Sequence, residues 1–189
     1  MLYSKTITLR DGRTCTLRNG TARDARGVLE TFILTHGQTD FLTSYPDEIS
    51  FTPEQEESYL QKKADSDCEV ELIAVLDGRV VGTAGIDRIG PYAKVRHRAG
   101  FGISIDRAYW GLGIGRAMTR ACIECAAAAG YVQLELEAVA SNRHAIALYE
   151  SEGFVEYGRN PKGFRSRLSG WQETVLMRLE TAGSRQIDA

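Results

Sequence analysis

Three alternate glycines, Gly111, Gly113 and Gly115, fall in Trp110-Gly-Leu-Gly-Ile-Gly, between an apolar run from Phe101 to Ile105 and a helix-patterned run that reaches Ala129. No other stretch restricts the possible folds as strongly. Glycines spaced in this way strip the Cβ atoms from one strand-to-helix turn, so several backbone N–H groups can converge on one point. The helix that follows adds its own unpaired N–H groups and the positive end of its dipole, and together these suit a phosphate or pyrophosphate. A P-loop needs Gly-Lys-Ser/Thr at the helix start, whereas Gly115 is followed by Arg116-Ala117. A dinucleotide fold wants Gly-x-Gly-x-x-Gly and an acid further on. Glu135 or Glu137 imitates the acid, but the third glycine comes one position early and no strand–helix alternation continues past Phe154.

A second pattern follows an apolar strand at Val132 to Ala138: Asn142-x-x-Ala145-x-x-Leu148-Tyr149-x-x-x-Gly153-Phe154. The glycine turn resembles the Arg/Gln-x-x-Gly-x-Gly/Ala signature of the GNAT superfamily of acetyl-CoA-dependent N-acetyltransferases, and the second pattern resembles that family's second signature. Both stand in the family's order. The resemblance covers Glu69 to about Leu179, and the N-terminus more weakly. Trp110 departs from it, since Arg or Gln is commoner there. Backbone amides do most of the phosphate work, so binding is expected to survive the change.

Four cysteines are present, and Cys122-Ile-Glu-Cys125 is formally a metal or redox spacing. Ile114, Met118, Ala121, Cys122, Cys125 and Ala128 recur at helical spacing, so both cysteines belong to a buried stripe and no metal is expected. The net charge of -2 gives no case for nucleic-acid binding. No apolar run reaches a membrane span and no signal-peptide pattern opens the chain, so the default expectation is a soluble cytoplasmic protein with no membrane partner.

Along the chain, Lys5 to Leu9 and Thr14 to Leu17 flank Asp11-Gly12 as a hairpin. A first helix follows Thr21. His36 to Phe51 reads as loop. Thr52-Pro53-Glu54-Gln55 opens a second helix, which runs to about Ala64. Glu69 to Leu76 and Arg79 to Ile86 flank Asp77-Gly78 as the clearest hairpin, with a bulge or close approach expected at Gly82 and Gly85. Ile89 to Ala99 connects to the Phe101 strand. After Phe154, Val155 to Tyr157 extends a strand, Asn160 to Arg167 reads as a basic loop, and Glu173 to Leu179 is the last strand. This pattern gives an α/β chain of about seven strands and four helices. One N-acetyltransferase domain is expected over residues 1–180, with residues 181–189 a flexible tail. The resemblance implies the GNAT fold: a mixed, twisted sheet with helices on both faces and two central strands that splay around the cofactor.

Acetyl transfer from a thioester to an amine needs a gripped cofactor, a neutral amine, a polarised carbonyl and a proton for the leaving thiolate. The resemblance assigns the acetyl-CoA pyrophosphate to Gly111, Leu112, Gly113, Ile114, Gly115 and Arg116, the last either adding a charge-assisted bond or being a plain exposed first-turn Arg. It lays the pantetheine arm beside Ile103 and Ile105, with an N–H near Ile103 or Ser104 on the acetyl carbonyl and the Ser104 hydroxyl structural. Asn142, Ala145 and Tyr149 share one helix face. Asn142 caps that helix and is within reach of the cofactor, and Tyr149 is the expected general acid. In many relatives a Glu opens the Phe101 strand, where this chain has Gly100. The base stays open among Glu71, Glu135, Glu137 and His97, or an amine that arrives neutral.

The implied acceptor is a small-molecule, peptide or protein amine, approached from His36 to Phe51 and Gly158 to Arg167. Relatives often dimerise. A non-catalytic acyl-CoA sensor is the alternative from another class, and a dinucleotide oxidoreductase is the second.

Overall fold

The computed structural model describes residues 1–181. Its centre is one eight-stranded sheet in the order β1-β2-β3-β4-β5-β6-β8-β7. The strands are β1 (Ser4–Thr8), β2 (Thr14–Asn19), β3 (Val70–Leu76), β4 (Arg79–Arg88), β5 (Arg98–Ile105), β6 (Gln133–Val139), β7 (Val155–Ser166) and β8 (Gly170–Glu180). The helices are α1 (Ala25–Gln38), α2 (Pro53–Ala64), α3 (Ile114–Ala128) and α4 (Arg143–Ser151). The mixed sheet and four helices match the expected α/β GNAT architecture.

The period-2 alternation of the central strands sorts side chains to two faces. Leu72, Ala74 and Leu76 join Met118, Ala121, Cys122 and Cys125 of α3 in the larger core. Ile73 and Val80 pack instead with Ala25 and Val28 of α1 and Leu60 of α2. Both cysteines of the Cys-x-x-Cys spacing are therefore core residues, and burial pushes the Cys122 thiol well up. No helix among the described residues is long and apolar enough to cross a membrane.

Local chemistry explains the well-read elements. Asp77 and Gly78 both take positive φ, 50° and 77°, as a two-residue hairpin turn requires. Thr52 accepts from Gln55 N–H at 3.3 Å and Gln55 Oε1 accepts from Thr52 N–H at 2.8 Å, a reciprocal cap on α2. The β3–β4 register shifts next to Gly82, where Val75 pairs with Val80 and Ala74 with Gly82, which leaves Val81 as the extra residue.

Three readings change. The helix α1 runs through His36 to Gln38, because His36 is buried and its Nδ1 bonds the Phe32 carbonyl at 2.7 Å. The strand β5 begins at Arg98 rather than Phe101, where it pairs with β6. Asn160 to Arg167 is not a loop as far as Ser166: it belongs to β7, with an irregularity between Asn160 and Phe164. The strand β7 lies at the sheet edge, where Pro161 interrupts no inner ladder and basic side chains stay solvated. Of the expected tail, Thr181 donates its N–H to Val132 O at 2.8 Å, and residues 182–189 lie outside the described residues.

Candidate active site

Among the described residues, β5 and β6 are the only parallel neighbours in the sheet, and they pair at Arg98–Gln133, Ala99–Leu134 and Gly100–Glu135. Beyond Gly100 they part. The orientation of each β5 peptide follows from its neighbours. Asp106 N–H donates to Val81 O at 2.9 Å and Arg98 O accepts from Ile89 N–H at 3.2 Å, so even-numbered peptides turn toward β4. Odd-numbered ones turn toward the gap. His97 O there accepts from Val132 N–H at 2.9 Å, and Ile105 O accepts from the Trp110 indole N–H at 2.7 Å. The N–H and C=O of Ile103 thus face the gap, while the amide of Ser104 is turned to β4. The Ser104 hydroxyl lies 3.5 Å from Thr83 Oγ1 on the α1/α2 face.

At the C-terminal end of β5 the glycine turn supplies unpaired donors. Gly111 and Gly113 have φ of 77° and 100°, and nothing lies within 4 Å of where a Cβ would stand on either. Their turn is held from behind, since Arg10 N–H donates to Leu112 O at 3.2 Å and Arg10 Nη1 to Gly111 O at 3.1 Å. The first bond of α3 runs from Ala117 N–H to Gly113 O. Among the described residues, none of the amides of Gly111, Leu112, Gly113, Ile114, Gly115 and Arg116 meets a protein acceptor. Gly115 has a different reason to be glycine: a Cβ there would already touch Ile105 Cδ1 and Leu148 Cδ2 at 3.4 Å, so it lets α3 approach β5 and α4 closely. Arg116 is half-exposed and its head is engaged by α4, with Nη2 donating to Ser151 Oγ at 3.1 Å and Nε 3.1 Å from Glu152 Oε1.

The helix α4 reaches the gap from the α3 side. Asn142 Oδ1 caps it by accepting from Ala145 N–H at 3.3 Å, which fixes the face carrying Tyr149. Tyr149 is only 8% exposed and packs among Phe101 and Phe154, with centroids 6.0 Å away in each case. Its hydroxyl makes no hydrogen bond to protein among the described residues, and burial pushes the phenol up to about 12.

The carboxylates separate into different settings. Glu135 is paired with Arg98, Nη2 to Oε2 at 2.7 Å, and also accepts from Gln133 Nε2 at 3.0 Å. Glu137 is exposed and accepts from the Thr174 hydroxyl. Glu71 lies on the α1/α2 face of β3 with its carboxyl pushed up to about 8, first by burial and then by Asp87 and Glu56, against Lys63 and the Thr83 hydroxyl. His97 is half-buried. The two expected acceptor segments do meet: Asp40 accepts from Ser166 and Ser169 hydroxyls at 2.6 and 3.0 Å, and the Arg167 guanidinium stacks 4.1 Å from the Tyr45 ring. A cavity of about 230 Å³ opens between them, lined by Asp40, Thr43, Tyr45, Phe164 and Gln172 among others.

The burial of Glu56 was not legible, because the start of this helix reads only as a cap followed by first-turn acids. The phase of Glu56 with Leu60 and Lys63, the other buried residues of α2, was the available signal.

Known proteins are similar to this chain in sequence and fold. A sequence model described as the acetyltransferase (GNAT) family matches residues 36–154. Over 91 residues, 47% of the chain, the sequence is 38% identical to a protein named N-alpha-acetyltransferase RimI from Mycobacterium tuberculosis, and the match spans 53% of that protein's length. Among solved structures, a GNAT-family acetyltransferase from Streptococcus pneumoniae superposes with a TM-score of 0.84 at 29% identity, over 89% of this chain and 99% of that one. A putative acetyltransferase from Salmonella typhimurium, solved with its cofactor acetyl-CoA, shares the fold with a TM-score of 0.79 at 18% identity, over 93% of this chain and 98% of that one.

Proposed function

Because this chain belongs to the GNAT family of acetyltransferases, we propose that it transfers an acetyl group from acetyl-CoA directly to a primary amine. The observation that carries this reading is the set of free amides from Gly111 to Arg116 at the mouth of the β5–β6 gap. Such a nest at a helix N-terminus suits the pyrophosphate of the cofactor. The pantetheine arm then runs along the odd-numbered edge of β5, at Ile103 and Ile105, pairing as an added strand would. Asn142 and Ala145, joined by the cap at the start of α4, are the residues expected to meet the cofactor from that side.

The Ile103 N–H polarises the acetyl carbonyl as charge builds on its oxygen. The amine nitrogen attacks the carbonyl carbon and the carbon–sulfur bond breaks. Tyr149 gives its proton to the departing thiolate. A phenol held near 12 stays protonated at neutral pH, and among the described residues its hydroxyl has no competing partner. Arg116, held by Glu152 and Ser151, acts on the cofactor only by redirecting its guanidinium.

The acceptor is a primary amine, and the α-amine of a peptide N-terminus is the first class to test. Support for that class comes from the 38% identity to a protein named as an N-alpha-acetyltransferase. The experiment is thiol release from acetyl-CoA against peptide N-termini, polyamines, amino acids and aminoglycosides. Acetyl-CoA binding with no release on any amine would favour a sensor.

A further inference from the structure

The sheet face opposite Tyr149 carries a group of polar side chains that the steps above leave unused. Glu71 of β3 is in register with Gly85 of β4, and Gly85 with Gly102 of β5. A Cβ built on Gly85 would run into Glu71 Oε2, so the carboxylate lies across β4 in the space that this glycine leaves. One strand further on, Gly102 is exposed, with nothing within 4 Å of its missing Cβ. Two glycines in register on adjacent central strands thus open the middle of the sheet, beside the point where β5 and β6 part.

The helix α2 covers the Glu71 end of this opening with Glu56, Tyr59 and Lys63. Lys63 is already engaged: it pairs with Asp87, stands 3.9 Å from Glu69 Oε2, and donates to Ile86 O at 3.4 Å. Glu56 is not. It is 7% exposed, and among the described residues its carboxylate has neither a hydrogen bond nor an ion pair. Burial pushes its carboxyl up, and its charge in turn pushes up that of Glu71. A largely buried carboxylate with no cation paired to it suits a site that receives one.

We infer that Glu56 and Glu71 receive the acceptor's ammonium between them, and that Glu71 takes the proton the nitrogen must lose before it attacks. The inference rests on the acetyl-transfer reading above. In the step, R–NH3⁺ and the Glu71 carboxylate, the form that an ammonium alongside it favours, give R–NH2 and the carboxylic acid. The nitrogen lone pair then forms the C–N bond as C–S breaks, and Tyr149 protonates sulfur. The second N–H proton returns through water to the Tyr149 phenolate, and Glu71 releases its own proton to solvent.

The groups facing Glu71 are Glu56, Tyr59 and Lys63 from α2, Glu69 just before β3, and Thr83 and Asp87 from β4, while β5 presents Gly100, Gly102 and the Ser104 hydroxyl. The acidity of the amine selects its class. A peptide α-ammonium, at about 7.7–8.0, gives its proton to a carboxylate at lower cost than an alkylammonium near 10.4. The receiver therefore favours α-amines.

The test uses tetra-alanine amide, with a free α-amine, and an N-acetylated alanine peptide carrying one lysine. Steady-state kinetics on wild type, Glu56→Gln, Glu71→Gln and Gly102→Val are run beside calorimetry with acetyl-CoA and thermal melts. Glu71→Gln is expected to lower kcat/KM for tetra-alanine amide about 10²-fold at pH 7, the residual rate then rising with the amine's own ionisation. Glu56→Gln is expected to raise the amine KM at least about 10-fold more than it lowers kcat. Gly102→Val fills the open space where no atom is met, so the same KM should rise while the fold is kept. Wild type should prefer the α-amine peptide at least about 10-fold over the lysine peptide. Wild-type kcat/KM and an unchanged pH profile in Glu71→Gln and Gly102→Val overturn the inference, as does a preference for the lysine peptide. If wild type binds no acetyl-CoA, the acetyl-transfer reading itself fails.

Discussion

The ring of Tyr149 stands at 90° to that of Phe101, edge to face, with centroids 6.0 Å apart. This contact ties α4 to β5 on one side of the β5–β6 gap and holds the phenol by packing alone, since its hydroxyl bonds to no protein group among the described residues. Edge-to-face aromatic pairs add about 0.5–1.5 kcal/mol beyond area burial, and a phenylalanine at this position keeps that term.

Tyr149→Phe is therefore expected to fold as wild type and to lower kcat and kcat/KM together by at least about 10-fold. The acetyl-CoA Kd should move little, because the free amides lie elsewhere. Kinetics on an accepted amine, with affinity measured separately, check this. An unchanged kcat with chemistry limiting would remove Tyr149 from the mechanism.

Gly113→Val places a β-branched side chain where φ is 100° and where the open amides converge. Acetyl-CoA binding should be lost, with strain of about 1–3 kcal/mol that leaves the fold standing. Titration beside circular dichroism reads both effects, and retained affinity would count against pyrophosphate at this turn.

Trp110→Phe deletes the indole N–H that donates to Ile105 O at 2.7 Å. The expected cost is about 1 kcal/mol in stability, seen in chemical denaturation. Acetyl-CoA affinity should also fall several-fold, because the gap-facing edge of β5 loses its end support. Trp110 in place of the commoner Arg or Gln thus has a structural reason.

The carboxyl of Glu71 is held near 8 in the folded chain against an ordinary 4.5. The folded state therefore binds more protons than the unfolded state across that window, so stability is greatest below about pH 4.5 for this group and is lost as pH rises through 8. Melting temperature should fall by roughly 3 °C or more from pH 5 to 8.5, and Glu71→Gln should flatten the slope. An equal slope in the variant would contradict the burial of this carboxyl.

What the sequence made legible was chemistry local to a few residues. The Asp77-Gly78 turn, the Thr52–Gln55 cap and the glycine turn each announce themselves because one backbone geometry needs those residue types. The candidate site residues on β5 and α4 were named from the resemblance that the two motifs carry. The strand β7 was not legible past Tyr157, because an edge strand with Pro161 and many charges has the composition of a loop, and its partner β8 decides the matter. Glu56 was hidden for a related reason: only packing against β3 turns an ordinary first-turn acid into a buried one. The engagement of Arg116 by Glu152 depended on the approach of α4 to α3, which no local pattern encodes.

The most direct test of the account is acetyl transfer itself, measured as CoA thiol released from acetyl-CoA in the presence of tetra-alanine amide, with the acetylated product confirmed by mass spectrometry and cofactor binding read by calorimetry. The account predicts saturable acetyl-CoA binding, amine-dependent thiol release, and loss of both in Gly113→Val. Absence of acetyl-CoA binding at millimolar concentration, or equal thiol release with and without any amine tested, would contradict it.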